Sequence, residues 1–254
     1  MQHLFCPDGE TALAFTLQQR PLLAFDFDGT LTPIVARPND VRLSSAVATR
    51  LASLATHLPV AIVTGRSVGD VRGRLGFAPR FIVGNHGAED ESDMAEPGQP
   101  SAAMMRQRQR IRDHGAALDA VGVTVEDKGQ SIALHYRLAR NRGLALQMIE
   151  DVLAGRDGEL HIFGGKLVVN VTSRHAPDKA DAVQNLVRRS GASCAIFAGD
   201  DVNDEPVFTA APASWLTIRI GRDMPKSGAR FFLDSPAEMA MLLERMISLL
   251  AARR

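Results

Sequence analysis

The chain has 254 residues, 29 Lys and Arg against 29 Asp and Glu, and two cysteines. That length supports a sizeable core, one large domain plus an insert or second domain, while the balanced charge excludes an overall electrostatic footprint for nucleic acid or an anionic membrane. Cys6 and Cys194 are too few for a disulfide framework or a thiolate metal site. Met1 to Glu10 lack the pattern of a signal peptide, and no apolar run reaches spanning length, so a soluble, cytoplasmic chain is expected.

Residues 11–20 predict a short helix that Pro21 ends or redirects. The apolar run Leu22 to Phe25 predicts a buried strand, which feeds directly into Asp26-Phe27-Asp28-Gly29-Thr30-Leu31-Thr32. In extended backbone, residues i and i+2 share a face, so Asp26 and Asp28 are expected to converge beyond the strand's carboxyl end. Open α/β sheets bind ligands there. Two acids on one spot repel unless a cation lies between them, so the motif itself asks for a metal.

A Pro-containing loop, Pro33 to Asp40, leads to a helix opened by Ser44, with Val47, Leu51, Leu54 and Leu58 on one face. A second buried strand, Val60 to Val63, ends in Thr64-Gly65-Arg66-Ser67, and a helix is expected to about Leu75. A third strand, Phe81 to Val83, ends in Gly84-Asn85-His86-Gly87-Ala88-Glu89. This alternation implies a parallel sheet covered by helices, with a polar cluster at the carboxyl end of each strand.

The pattern breaks at a polar linker, residues 90–100. A helix is expected from Ser101 to Ala120, then strands Val123 to Glu126 and Ser131 to Tyr136 joined through Asp127-Lys128-Gly129-Gln130. The unit recurs: a helix from Leu144 to Leu153, then strands Leu160 to Phe163 and Leu167 to Val171 turning about Gly164-Gly165. Arg106, Arg108, Arg110 and Arg112 alternate along the first of these helices. Residues two apart do not share a helix face, so they read as two short stripes on a solvated face, not as a nucleic-acid site.

After residue 172 the α/β rhythm returns. Asp178 caps a helix to about Ser190, and a strand Cys194 to Ala198 ends in Gly199-Asp200-Asp201-Val202-Asn203-Asp204-Glu205. A strand Leu216 to Ile220 and an amphipathic helix from Pro236 follow. The expected organisation is a Rossmann-like α/β core, residues 1–92 and 173–254, interrupted by an α+β cap, residues 93–172.

In chain order, D-x-D-G-T, T-G-R, a lone Lys179 and G-D-D-x-x-D together resemble the haloacid-dehalogenase-like phosphatases, which use an aspartate nucleophile and Mg2+. Singly, Thr64-Gly65 is also an ordinary turn, Lys179 a solvated first-turn residue, and Asp200 and Asp204 helix caps; their order at successive strand ends decides the reading. The chemistry fits that resemblance. A carboxylate approaching a phosphate dianion at about 4 Å, with an effective dielectric near 20, is repelled by roughly 8 kcal/mol. A divalent cation and a lysine are therefore needed. The resemblance implies Asp26 as nucleophile and Asp28 as general acid, then base. It implies Thr64 and Lys179 on the phosphoryl group, with Gly65 and Arg66 beside it. Mg2+ would be held by Asp26, the backbone carbonyl of Asp28 and Asp200, with Asp204 either a direct ligand or one step back.

The resemblance narrows further. Gly84-Asn85-His86-Gly87-Ala88-Glu89, Glu126-Asp127-Lys128-Gly129, Gly164-Gly165-Lys166 and Gly199 to Glu205 look like the trehalose-6-phosphate phosphatases, over about Leu22 to Phe208. That family's cap residues imply Glu126 and Lys128 as contacts to sugar hydroxyls, and His86 joins them as a site residue. His135 and His161 read as strand residues without catalytic duties. Asn170 stands where the family usually has a sugar-binding glutamate, Ala180 where glycine usually follows the lysine, and Asn203 where threonine is usual. These departures leave open another sugar or glycosyl phosphate, such as a sucrose-phosphate-like or glycosyl-phosphoglycerate ester, and a non-catalytic sugar-phosphate sensor. The polar linkers imply that the cap closes over the site. Oligomeric state has no signature here.

Overall fold

The computed structural model describes residues 1–35, 40–93, 100–155, 158–224 and 226–252. Parts of the expected Pro33–Asp40 loop and of the 90–100 linker lie outside them. The chain divides into two compact units, Met1–Met94 with Pro177–Arg254, and Ala95–Ala176.

In chain order the elements are β1 (Gln2–His3), α1 (Pro7–Gln18), β2 (Leu22–Phe25), α2 (Ser45–Ala55), β3 (Val60–Val63), α3 (Val68–Arg72), β4 (Phe81–Gly84) and β5 (Glu89–Asp90). The second unit holds α4 (Ala102–Asp113), α5 (Gly115–Ala120), β6 (Thr124–Asp127), β7 (Ser131–His135), α6 (Arg142–Leu153), β8 (Leu160–Gly165) and β9 (Val168–Ser173). The first unit resumes with α7 (Lys179–Ser190), β10 (Ala195–Gly199), α8 (Glu205–Ala210), β11 (Leu216–Ile220), β12 (Phe231–Leu233) and α9 (Met239–Ala251).

The first unit's sheet runs β1-β12-β11-β10-β2-β3-β4-β5. All pairs are parallel except β4 with β5. Strand β2 is apolar throughout because both its faces are covered. Leu23 and Phe25 pack with α1, α2 and α9, while Leu22 and Ala24 pack with α7 and α8. Helix α2 shows how the sequence builds a layer. The Ser44 hydroxyl accepts the Val47 N–H at 3.3 Å, and Val47, Ala48, Leu51 and Leu54 form its buried stripe. Each such fully buried leucine contributes about 1.5–3 kcal/mol relative to exposure. From β2 the chain moves outward through β3 and β4, then returns to place β10 on the other side of β2. The order reverses between β2 and β10, which opens a crevice at their carboxyl ends.

The second unit is an antiparallel sheet, β6-β7-β9-β8, with three helices on one face. Ile132, Leu134, Val169, Val171 and Leu160 form a core with Met104, Ile111, Leu118, Ile149 and Val152. The other face is polar: Glu126 lies opposite Ala133, which lies opposite Asn170.

Several expectations are corrected. Helix α1 starts earlier, at Pro7, with the Cys6 Sγ accepting the Gly9 N–H, and ends before Pro21. The helix expected over Ser101 to Ala120 breaks at His114, whose Nδ1 lies 2.9 Å from the Arg110 carbonyl just before the weak helix former Gly115. The hairpin does not turn at Gly164-Gly165. Those glycines pair with Val169 and Val168, and the turn is Lys166-Leu167, with Leu167 at φ 63°. Tyr136 N–H and the Arg137 guanidinium hold the Leu167 and Lys166 carbonyls, so neighbouring strand contacts override the local glycine signal. Among the described residues, no helix is long and apolar enough to cross a membrane.

Candidate active site

Asp26 follows β2 directly, and its N–H donates to the Ala198 carbonyl of β10 at 2.9 Å. Lys179 is the first residue of α7. That helix starts where it does because Asp178 and Asp181 exchange capping hydrogen bonds with each other's backbone N–H. Lys179 is 1% exposed, not solvated. Its Nζ donates to Asp26 Oδ1 at 2.8 Å and to Asp204 Oδ1 at 2.7 Å. The second Asp204 oxygen accepts the N–H groups of Asp200 and Asp201, both at 2.9 Å. Asp204 thus fixes the lysine and the loop that carries Asp200. Asp201 caps the following 3-10 turn, its carboxylate accepting the Val202 N–H. Asp200 Oδ1 accepts from the Thr30 hydroxyl at 3.1 Å.

The electrostatics of this cluster are unbalanced. Asp26, Asp200 and Asp204 are buried, each offers an oxygen within 4.8 Å of the others, and the Lys179 ammonium pairs with two of them, Asp26 and Asp204. Burial pushes the Asp26 carboxyl well up; Lys179 pulls it back, and Asp204 and Asp200 add to the rise. For Lys179 the two carboxylates outweigh burial and hold the ammonium above its ordinary range. Buried like charges at this density call for a further cation, and a hard oxygen donor set fits a divalent ion of the Mg2+ kind.

Asp28 departs from the expected convergence. The strand ends at Phe25 and the chain turns after Asp26, so Asp28 meets Arg66 instead, which donates from Nε at 2.6 Å and from the second terminal nitrogen at 2.7 Å. Arg66 also donates to Asp70 at 2.7 Å, and its guanidinium lies over the Phe27 ring at 5.6 Å. These carboxylates outweigh burial and raise the guanidinium's affinity for its proton. Thr64, at the end of β3, is 1% exposed, and its hydroxyl accepts the Arg66 N–H at 3.2 Å. His86 follows β4 at φ 61°, beside Asn85 at φ 49°, and its N–H donates to the Thr64 carbonyl at 3.0 Å. A Cβ on Gly65 would lie 2.4 Å from the His86 ring, so a glycine is what lets this ring lie on the Thr64-Gly65-Arg66 loop.

Asp26, Lys179, Asp200 and Asp204 therefore form one cluster, while Asp28, Thr64 and Arg66 form a contiguous chain at neighbouring strand ends. Glu126, Lys128 and Asn170 belong to the second unit. Glu126 Oε2 lies 2.9 Å from His135 Nε2 and 3.6 Å from Lys128 Nζ. Asn170 is buried, on the same sheet face as Glu126, two strands or about 10 Å away. Sequence reasoning missed Thr30, which lies inside the opening motif. It also missed Glu89, whose Oε2 accepts from Asn85 Nδ2 at 2.7 Å and from the Val68 N–H at 3.0 Å. No local pattern distinguishes that glutamate from an exposed one.

The trehalose-phosphatase family model matches residues 24–222. The probable trehalose-phosphate phosphatase of Sinorhizobium fredii is 34% identical over 214 residues, covering 82% of this chain and 80% of its own. The trehalose-phosphate phosphatase of Mycobacterium ulcerans is 30% identical over 99% of this chain, which spans only 66% of that relative's length. For the relative from Mycolicibacterium paratuberculosis the share is 62%. The C-terminal domain of the C. albicans trehalose-6-phosphate phosphatase superposes with a TM-score of 0.77 at 20% identity, over 94% of this chain and 96% of that one, a likeness of fold. The fold is haloacid-dehalogenase-like, and the chain belongs to the trehalose-phosphatase family.

Proposed function

We propose that the protein is a Mg2+-dependent phosphatase that hydrolyses trehalose 6-phosphate to trehalose and phosphate through an aspartyl-phosphate. The observation that carries this reading is the buried cluster of Asp26, Asp200 and Asp204 closed by Lys179 in the crevice between β2 and β10. Asp26, Asp200 and the backbone carbonyl of Asp28 hold the ion, with Asp204 beside them. Bound there, Mg2+ offsets the charge of the phosphoryl oxygens and of the carboxylates.

The Asp26 oxygen attacks phosphorus as the bond to the sugar oxygen breaks, and Asp28 gives that oxygen a proton. Asp28 then takes a proton from water, which attacks the aspartyl-phosphate, freeing phosphate and restoring the Asp26 carboxylate. Lys179, already fixed on Asp26, meets the incoming phosphate, and the Thr64 hydroxyl and Gly65 receive its oxygens. Arg66 holds both Asp28 oxygens in the resting arrangement and has to release one of them for proton transfer. His86 borders the phosphate loop, and Glu126, Lys128 and Asn170 bind sugar hydroxyls.

Phosphate release from a panel of sugar phosphates, before and after chelation, tests the proposal. Trehalose 6-phosphate should give the highest kcat/KM, and chelation should abolish it. Asp26→Asn should lower kcat by more than about 10³-fold and remove the phosphorylated enzyme seen by mass after acid quench. Equal turnover of glucose 6-phosphate defeats the substrate assignment; full activity after chelation defeats the metal. A different glycosyl phosphate is the second reading, favoured by Asn170 in place of a glutamate, and the same panel separates it.

A further inference from the structure

Of the alternating arginines of α4, Arg106 and Arg112 are exposed as expected, but Arg108 is not solvated. Arg108 has only 16% of its side chain exposed and reaches across to the β6–β7 hairpin. Its Nε donates to Asp127 Oδ2 at 2.5 Å, and one terminal nitrogen donates to Asp127 Oδ1 at 3.0 Å and to the Gly129 carbonyl at 2.8 Å. Asp127 Oδ1 also accepts the Gly129 N–H at 3.0 Å. The Lys128 N–H donates to the Ser131 carbonyl at 2.9 Å, and Gly129 sits at φ 78°, which the tip's turn requires. Lys128 is thus flanked on both sides by residues tied to one guanidinium.

We infer that Arg108 is a positioning residue for sugar recognition: it docks the hairpin tip on α4 and so fixes where Lys128 and Glu126 present their charged groups. The inference rests on the reading of Lys128 and Glu126 as sugar contacts. The contact is a planar fork on a carboxylate plus a third bond to a backbone carbonyl, which specifies orientation in a way a point charge cannot. With Asp127 half exposed, such a pair adds little to stability, so what it supplies is geometry. Glu126 is held from the strand side by His135. A displaced tip misplaces the sugar contacts while the phosphate-binding residues, all in the first unit, keep theirs.

The test compares KM and kcat for trehalose 6-phosphate and for p-nitrophenyl phosphate, which has no sugar, in Arg108→Ala, Arg108→Lys, Asp127→Ala, the Arg108→Ala/Asp127→Ala double variant and Lys128→Ala, with thermal melting as a check on folding. Arg108→Ala should raise KM for the sugar ester about tenfold, with a much smaller effect on p-nitrophenyl phosphate. Arg108→Lys should not rescue it, and the double variant should fall well short of the combined effect of the singles, because either change opens the same fork. A rise in KM with Lys128→Ala but not with Arg108→Ala or Asp127→Ala overturns the bracing role alone. Additive effects, or equal effects on both esters, overturn it too. An unchanged KM in Lys128→Ala overturns the reading of the tip itself, and the inference with it.

Discussion

Gly29 stands at φ 84°, and a Cβ there would lie 2.1 Å from Asp200 Oδ2. Two independent constraints therefore meet in one residue: a left-handed backbone and the close approach of a carboxylate proposed to hold the ion. Gly29→Ala should push Asp200 outward, and a displacement of about 1 Å in such a cluster costs about 10²-fold in rate. The same change should cost more than about 1 kcal/mol of stability, because alanine resists this backbone conformation. Both are readable, as kcat/KM on a small phosphate ester and as a urea midpoint. A variant with ordinary turnover would show that the position of Asp200 is not critical. Lys179 has the same quality of being determined from two sides. An ammonium with 1% exposure is tolerable only because Asp26 and Asp204 both accept from it, so neither acid can be altered without disturbing the lysine.

At the scale of elements, the short helix α3 is stitched to the active-site loop by charge. Asp70 lies between Arg66 and Arg74, accepting from Arg66 at 2.7 Å and from the Arg74 Nε at 3.0 Å. Burial alone would raise the Asp70 carboxyl, but the hydrogen bonds from Arg74 and Arg66 outweigh it and hold the group below its ordinary value. A carboxyl depressed in the folded state adds stability above the unfolded value, about 3.9, and loses it as the pH falls through the folded value. The difference in urea midpoint between the parent and Asp70→Asn should accordingly stay constant from neutral pH to about 4.5 and shrink below about 4. A constant difference through acid would remove Asp70 as its source. Elements were legible in the sequence where both faces are buried: β2 and β3 are unbroken apolar runs bounded by polar or turn-forming residues. The strands β1, β5 and β12, of two or three residues, are too short to show any period and exist only because an adjacent strand offers its edge. Arg108 was misread for a related reason, since its partner Asp127 lies nineteen positions away in the chain and helical spacing says nothing about it.

For the whole molecule, an equal number of acidic and basic residues conceals a local concentration of charge, because the buried carboxylates of Asp26, Asp200 and Asp204 lie together where Lys179 pairs with two of them. The order of motifs along the chain made that cluster legible; the diversion of Asp28 to Arg66 was not, since it depends on where β2 stops and on a side chain 38 residues on. A cation that neutralises the cluster binds the folded chain and not the unfolded one, so it must stabilise the fold. At a hundredfold excess over Kd the gain is about 2.7 kcal/mol, which for a domain of this size is a rise in Tm of roughly 5–10 °C. Calorimetry of chelated protein titrated with Mg2+ should show that rise in the parent and lose it in Asp200→Asn, which keeps an acceptor for the Thr30 hydroxyl but removes the charge. The four residues concerned all belong to the first unit, and the second has a hydrophobic core of its own. If the two units melt in separate transitions, Mg2+ should therefore move only one of them. A shift of equal size in Asp200→Asn would place the stabilising ion elsewhere, and no shift in the parent would mean that the cluster takes no Mg2+.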